Sequence, residues 1–262
     1  MLRKRVITVL TFNEGVLFRT KLFRPDYRYT LNFVDAWSVD EIVVLDVTRA
    51  GGEKTRDDFL GVIQGFSKRC FVPLAAGGGL RDMDDVDRYM GAGADKIVVN
   101  TGAIKNPDLI GEIAGVYGSQ CVILSIDVQE HEHGHYEVYS HFGRQPTGVD
   151  PISWAKQGES LGAGEVLVTP IKYDGWLQGY DLTLCRSISD SVSVPTLILG
   201  GAGNWNHFVD GFKKGHASGV CTQNIYHFTE SSMRSAKSAL SKAGLPVRHE
   251  RRFDNMDTAS IR

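Results

Sequence analysis

Three aspartates stand where a sheet-based enzyme would carry its chemistry. Asp46 and Asp127 end runs of Val, Ile and Leu, and Asp174 follows a third such run. Asp127 is the sharpest case, because it closes Cys121-Val-Ile-Leu-Ser-Ile126. A carboxylate placed there is partly desolvated, so its pKa is expected above the ordinary range, which suits proton transfer near neutral pH. The plainer reading of any one Asp is a cap on the helix that follows. Two glycine turns, Gly77-Gly-Gly-Leu-Arg-Asp82 and Gly200-Gly-Ala-Gly-Asn-Trp205, also follow apolar runs. Glycine lets backbone amides approach an anion, and a helix N-terminus adds positive potential. Either turn alone can simply be a bend. Together they predict a ligand with a phosphate at each end.

Charges open four apolar runs: Arg5, Glu41, Lys96 and Glu165. Two are positive and two negative. A solvated ring is the default, and a mutually neutralising plug is the alternative if they point inward. His131, His133 and His135 alternate, with His141 nearby. On one strand they could ligate a metal. No Cys or Asp completes the set, so an exposed hairpin is expected and neither a metal nor an organic cofactor is implied.

The elements that must position these residues are short, continuous apolar runs. They cover Arg5–Leu10, Glu41–Asp46, Phe71–Ala75, Lys96–Val99, Cys121–Asp127, Glu165–Thr169, Thr196–Leu199 and Ala217–Cys221. Continuous rather than alternating apolarity marks strands buried on both faces. Amphipathic helical patterns lie between them, among them Asp82–Gly91, Pro107–Tyr117, Pro151–Leu161, Trp205–Lys214 and Glu230–Lys242. This alternation predicts an α/β fold, a (β/α)8 TIM barrel, over a doubly wound sheet. The glycine turns, and Asn100-Thr101 against Gln223-Asn224, repeat at the same offset, so an internal half-barrel repeat is expected. The halves run about 1–118 and 119–248, with 249–262 a polar C-terminal tail.

The chain has 262 residues, 29 Lys plus Arg, 31 Asp plus Glu and a net charge of −2. No basic excess exists for a nucleic-acid backbone, so no nucleic-acid partner is expected. Cys70, Cys121, Cys185 and Cys221 form no CxxC pair and read as reduced thiols. Met1-Leu-Arg-Lys-Arg5 precedes an apolar stretch broken by Thr8 and Thr11, without a cleavage-like site. With no membrane-length apolar segment, a cytoplasmic location is expected.

Met1-Leu-Arg-Lys-Arg-Val, Ala76-Gly-Gly-Gly-Leu, Gly93-Ala-Asp-Lys-Ile-Val-Val-Asn-Thr, Gly118-Ser-Gln, Ser125-Ile-Asp, Gly162-Ala-Gly-Glu-Val-Leu-Val-Thr, Tyr173-Asp-Gly and Gly200-Gly-Ala-Gly together resemble the cyclase subunit of imidazole glycerol phosphate synthase. The resemblance runs from residue 1 to about 248. It implies a barrel with a glutaminase partner on its N-terminal face and ammonia passing through to the far rim. It also implies that Asp127 is one of two catalytic aspartates and that Asp46, Thr169 and Asp174 belong to the active site. Gly79, Asn100 and Thr101 would form one phosphate site, and Gly175, Gly200 and Gly201 the other. Arg5, Glu41, Lys96 and Glu165 would gate the ammonia passage, and Asp95 would contact the glutaminase.

The departures lie on the rim. The other catalytic aspartate is Thr11 here, and a hydroxyl is no general base near neutral pH. The family's lysine in the first loop is Arg19, which keeps charge without a titratable amine. That loop, Gly15 to about Asn32, looks shortened. The serine of the second phosphate site is Asn224, beside Thr222 and Gln223, and Arg49 stands where a small residue is usual. Matched gate and altered rim imply a synthase subunit that still receives ammonia. Its substrate would be a small phosphorylated molecule, or it would supply a downstream amidotransferase of nitrogen-containing surface sugars. The alternatives are an authentic histidine-pathway cyclase that tolerates Thr11, and a docking conduit without chemistry of its own.

Overall fold

The computed structural model describes residues 3–28, 39–49, 53–223 and 233–248. Eight parallel strands form a closed barrel: β1 (Arg5–Asn13), β4 (Glu41–Asp46), β5 (Leu74–Gly77), β6 (Lys96–Val99), β7 (Val122–Glu130), β10 (Glu165–Pro170), β11 (Thr196–Ile198) and β12 (Gly219–Thr222). They pair in that order, and β12 returns to β1, with Arg5 opposite Gly219. The fold is therefore a (β/α)8 barrel, with helices between the strands.

Alternation along each strand divides two cores. Ile7, Val9, Val43, Ala75, Val98, Ile123, Leu167, Leu197 and Cys221 fill the barrel interior. Their outward neighbours, such as Val6, Ile42, Ile97, Leu124 and Ile198, pack under the helices. Burial on both faces explains why these runs read as continuous.

The helices are α1 (Glu53–Ser67), α2 (Met83–Gly91), α3 (Thr101–Lys105), α4 (Asp108–Tyr117), α5 (Pro151–Leu161), α6 (Leu182–Ser189), α7 (Trp205–Lys213) and α8 (Met233–Lys242). Helix α5 has the bounds its sequence predicts. Asp150 caps it by accepting from Ser153 N, Pro151 opens it, and Gly162 ends it at φ 111°. The expected start of α8 at Glu230, the tail from 249 and Asn224 lie outside the described residues.

The third barrel strand begins at Leu74 rather than Phe71. Pro73 offers no N–H to a ladder, and Phe71 is 75% exposed at the N-terminal end of the barrel. The larger difference is at the other rim, where β1 and β7 overrun the barrel. β1 continues into β2 (Val16–Lys21) and β3 (Arg24–Arg28), an antiparallel hairpin within the segment from Gly15 to about Asn32. β7 continues into β8 (Tyr136–Ser140) and the short β9 (Gln145–Pro146).

Candidate active site

Both hairpins fold toward the C-terminal ends of the barrel strands, where a cavity of about 470 Å³ opens. The structure brings Thr11, Asp46, Gly79, Asn100, Thr101, Asp127, Thr169 and Asp174 to its wall. Strand alternation accounts for this. Ile123, Ser125 and Asp127 project inward from β7, and Thr169 stands beside Asp127 across the β7–β10 ladder.

Asp127 behaves as its position in the sequence predicts. Burial pushes its carboxyl up to about 7, a hydrogen bond from the Asn100 side chain opposes the shift, and the Asp174 charge adds to it. Such a group exchanges protons readily near neutral pH. Asp46 accepts from Thr48 N at 2.9 Å, and the Thr48 hydroxyl accepts from Glu14 N at 2.8 Å. Asp46 thus also orders the start of the hairpin.

Thr11 is buried, and its hydroxyl accepts from Gln223 Nε2 at 2.5 Å. The position that would need a second carboxylate therefore holds a neutral hydroxyl–amide pair, with neither partner basic. The sequence places Gln223 beside Asn224 but gives no sign of this contact, which joins residues 212 apart in the chain.

The two glycine turns differ from the expectation of open helix N-termini. Asp82 caps α2 by accepting from Asp85 N, and Asn204 caps α7 by accepting from Asn206 N and His207 N. Gly78 is required by close approach, since a Cβ there would lie 2.1 Å from the Asp46 carbonyl oxygen. Gly79, at φ 69°, has open space before it and faces the cavity. Gly175, Gly200 and Gly201 do not line the cavity. A Cβ on Gly201 would lie 1.9 Å from the Gly179 carbonyl, and Gly179 N donates to Gly201 O at 2.7 Å. Those glycines pack the loop that carries Asp174.

The first hairpin is pinned over the mouth. Phe23 N donates to Asp174 Oδ2 at 3.0 Å, and Leu22 N donates to the Asp174 carbonyl at 3.2 Å. Arg49 donates to the Phe23 carbonyl and lies 5.7 Å from the Phe142 ring centroid. Leu22 and Phe23 hold φ of 50° and 57°, and His141 and Phe142 hold 51° and 62°. Bulky residues rarely adopt this region, so these contacts overrule local preference at both tips. Arg19 lies in β2 with its side chain outside the described ones.

At the opposite end, the four strand-opening charges point inward and meet. Arg5 donates to Glu41 at 2.8 Å and to Glu165 at 2.9 Å. Lys96 Nζ reaches the same two carboxylates at 3.0 Å each. Burial raises the Glu41 pKa, Lys96 lowers it, and the Glu165 charge raises it again. The plug arrangement is therefore the one present. Asp95 stands exposed at this end and accepts from Leu74 N at 2.8 Å.

The histidine group does not converge. β7 ends at Glu130 and a turn follows, so the alternation is broken. His131 bonds Glu137 at 2.9 Å, and its ring lies 6.1 Å from that of His135. His141 is at the cavity instead, where its backbone N–H donates to the Thr101 hydroxyl at 3.1 Å. No cluster suited to a metal occurs among the described residues. No described helix is long and apolar enough to cross a membrane.

A parallel barrel with carboxylates and open glycine backbone at the C-terminal strand ends has the architecture of a small-molecule enzyme. The profile of the family described as histidine biosynthesis protein matches residues 8–232, and the chain belongs to that family. Its members are typically isomerases or cyclases.

Proposed function

We propose that this chain is the synthase subunit of a glutamine-dependent amidotransferase. A glutaminase docks on the N-terminal barrel face, near Asp95, and releases ammonia at the charged floor. Ammonia then crosses the apolar interior and reacts at the rim cavity, where Asp127 is the remaining acid–base group. One observation carries this reading: a ring of two cations and two carboxylates closes the floor beneath an apolar lumen that leads up to the cavity. Val9, Leu45, Val98, Leu167 and Leu199 line both that interior and the cavity base. Burying such charges costs more than apolar residues of like size would, so the ring calls for a role beyond stability. Glu165 Oε2 is buried with no hydrogen-bond partner among the described residues, an acceptor that a passing N–H can use. A sheltered route is chemically sensible because ammonia in bulk water is protonated near neutral pH, and the cation is no nucleophile.

The neutral Thr11–Gln223 pair supports a reaction other than the histidine-pathway cyclisation. We read the pathway as amidation or amidination in the making of nitrogen-containing surface sugars. The Arg5→Ala variant, assayed with its glutaminase and glutamine labelled with ¹⁵N in the amide, is the direct test. Glutamine hydrolysis should continue while most label appears as free ammonia. Label transferred as efficiently as by the native complex would refute the conduit.

Asp127, Asn100, Thr101 and Gly79, which all line the cavity, favour a second reading, the authentic cyclase. That reading requires ammonia-dependent turnover of the ribulosyl aminoimidazole precursor at ~1 per second or more by the native protein. We expect none.

A further inference from the structure

Helix α8 carries a charge on the face it should keep apolar. Ala236 and Leu240 are fully buried in the core outside the strand wall, and Lys237 is buried with them. Residues three and four apart share a helix face, so a lysine here interrupts the stripe that packs on the strands. Its ammonium reaches Asp40 Oδ1 at 2.8 Å, and each side chain is 6% exposed. Both lie deeper than the cations of the floor ring, Arg5 at 23% and Lys96 at 15%. An apolar pair of similar volume would commonly hold the helix as well or better, so stability alone does not account for these charges.

The second carboxylate oxygen gives the pair its place in the fold. Asp40 Oδ2 accepts from the Val6 N–H at 2.9 Å, and the Asp40 N–H donates to the Val6 carbonyl at 3.1 Å. Asp40 therefore holds Val6 by both of its backbone groups. Val6 follows Arg5 and Asp40 precedes Glu41, the two floor residues that meet at 2.8 Å. The paired register of β1 and β4 starts with Ile7 opposite Glu41, and below it the two chains are joined through Asp40.

From this arrangement we propose that Lys237 and Asp40 are positioning residues for the floor. The pair lies behind the strand wall and fixes the spacing of Arg5 and Glu41 in front of it. Lys237 balances the Asp40 charge, which keeps the carboxylate turned onto the Val6 N–H. The geometry of the ammonia entrance is thereby set in part from α8, whose residues take no part in the ring. The inference rests on reading the floor as the ammonia passage and adds two residues outside that ring.

The full chain with its glutaminase and amide-¹⁵N glutamine tests it, read as label in product per glutamine hydrolysed after subtracting hydrolysis by the glutaminase alone. Lys237→Met strands the Asp40 charge, and transfer should fall about tenfold, within the ~10²-fold that a misplacement of about 1 Å can cost. Asp40→Asn combined with Lys237→Met removes both charges and keeps an amide oxygen for the Val6 N–H, so transfer should return to within about twofold of native. Asp40→Ala combined with Lys237→Met is equally neutral but lacks that acceptor, and it should stay about tenfold low. The two double variants decide the matter even where Lys237→Met does not fold. A merely structural pair would lower the melting temperature without moving this ratio. The proposal is overturned if the Ala and Asn double variants transfer equally, or if a folded Lys237→Met transfers as the native chain does. Arg5→Ala in the same assay separates the two readings. If it also stays coupled, the floor carries no ammonia and both fall; if it uncouples while the Ala double variant does not, only the positioning role falls.

Discussion

Asp127→Asn is expected to cut transfer of glutamine-derived nitrogen into product by about 10²–10⁴-fold, the usual cost of removing a positioned acid–base group. The side chain keeps its shape and its Asn100 neighbour, so loss of the proton-transferring oxygen is the main change. Native activity should rise with pH and level off above pH 7, since the carboxyl has a pKa of about 7. That limb should be missing from the residual activity of the variant. An unaltered rate would mean that the rim performs no chemistry and the barrel is only a conduit.

Stability must move in the opposite sense. In the unfolded chain Asp127 ionises near about pH 4, whereas the buried carboxyl stays protonated until about 7. A carboxyl whose folded pKa is raised loses stabilising effect as pH rises through that window. Asp127→Asn should therefore match the native melting temperature near about pH 3 and exceed it above pH 7, by a margin that grows between the two. A destabilised variant at high pH would show that the carboxylate is charged and well paired in the fold.

The second large effect is expected at the floor. Glu41 is 1% exposed and receives both Arg5 and Lys96. Glu41→Ala leaves two cations sharing Glu165, and breaking a buried pair in this way costs about 3–5 kcal/mol. Adding Lys96→Met should recover most of that loss, because Arg5 and Glu165 then remain as one matched pair. Urea unfolding of the two single variants and the double variant gives the coupling directly. Equal losses in Glu41→Ala and in the double variant would assign the effect to the vacated volume rather than to unpaired charge.

The barrel is legible in local patterning. Strands buried on both faces need unbroken Val, Ile and Leu, and that pattern is local, so β4 and β6 have the bounds expected from composition alone. The environment of Asp127 is equally legible, because five buried strand residues, Val122 to Ile126, precede it and desolvation follows from position in the run. Caps were legible for the same reason: Asp150 and Gly162 act within one turn of their helix.

How the rim is shared depends on long-range packing. The Thr11–Gln223 bond joins residues 212 apart, and Asp174 meets the hairpin tip across 151. No local spacing encodes either contact. The hairpin turn at Leu22-Phe23 is invisible to turn rules, since left-handed φ normally calls for Gly, Asn or Asp. It is held instead by Asp174 and Arg49 from two other loops. The glycine turns show the same division. Their residues mark where the backbone must bend, but which turn faces the cavity depends on what packs over it. Gly79 opens onto empty space, while Gly201 lies against the Gly179 carbonyl.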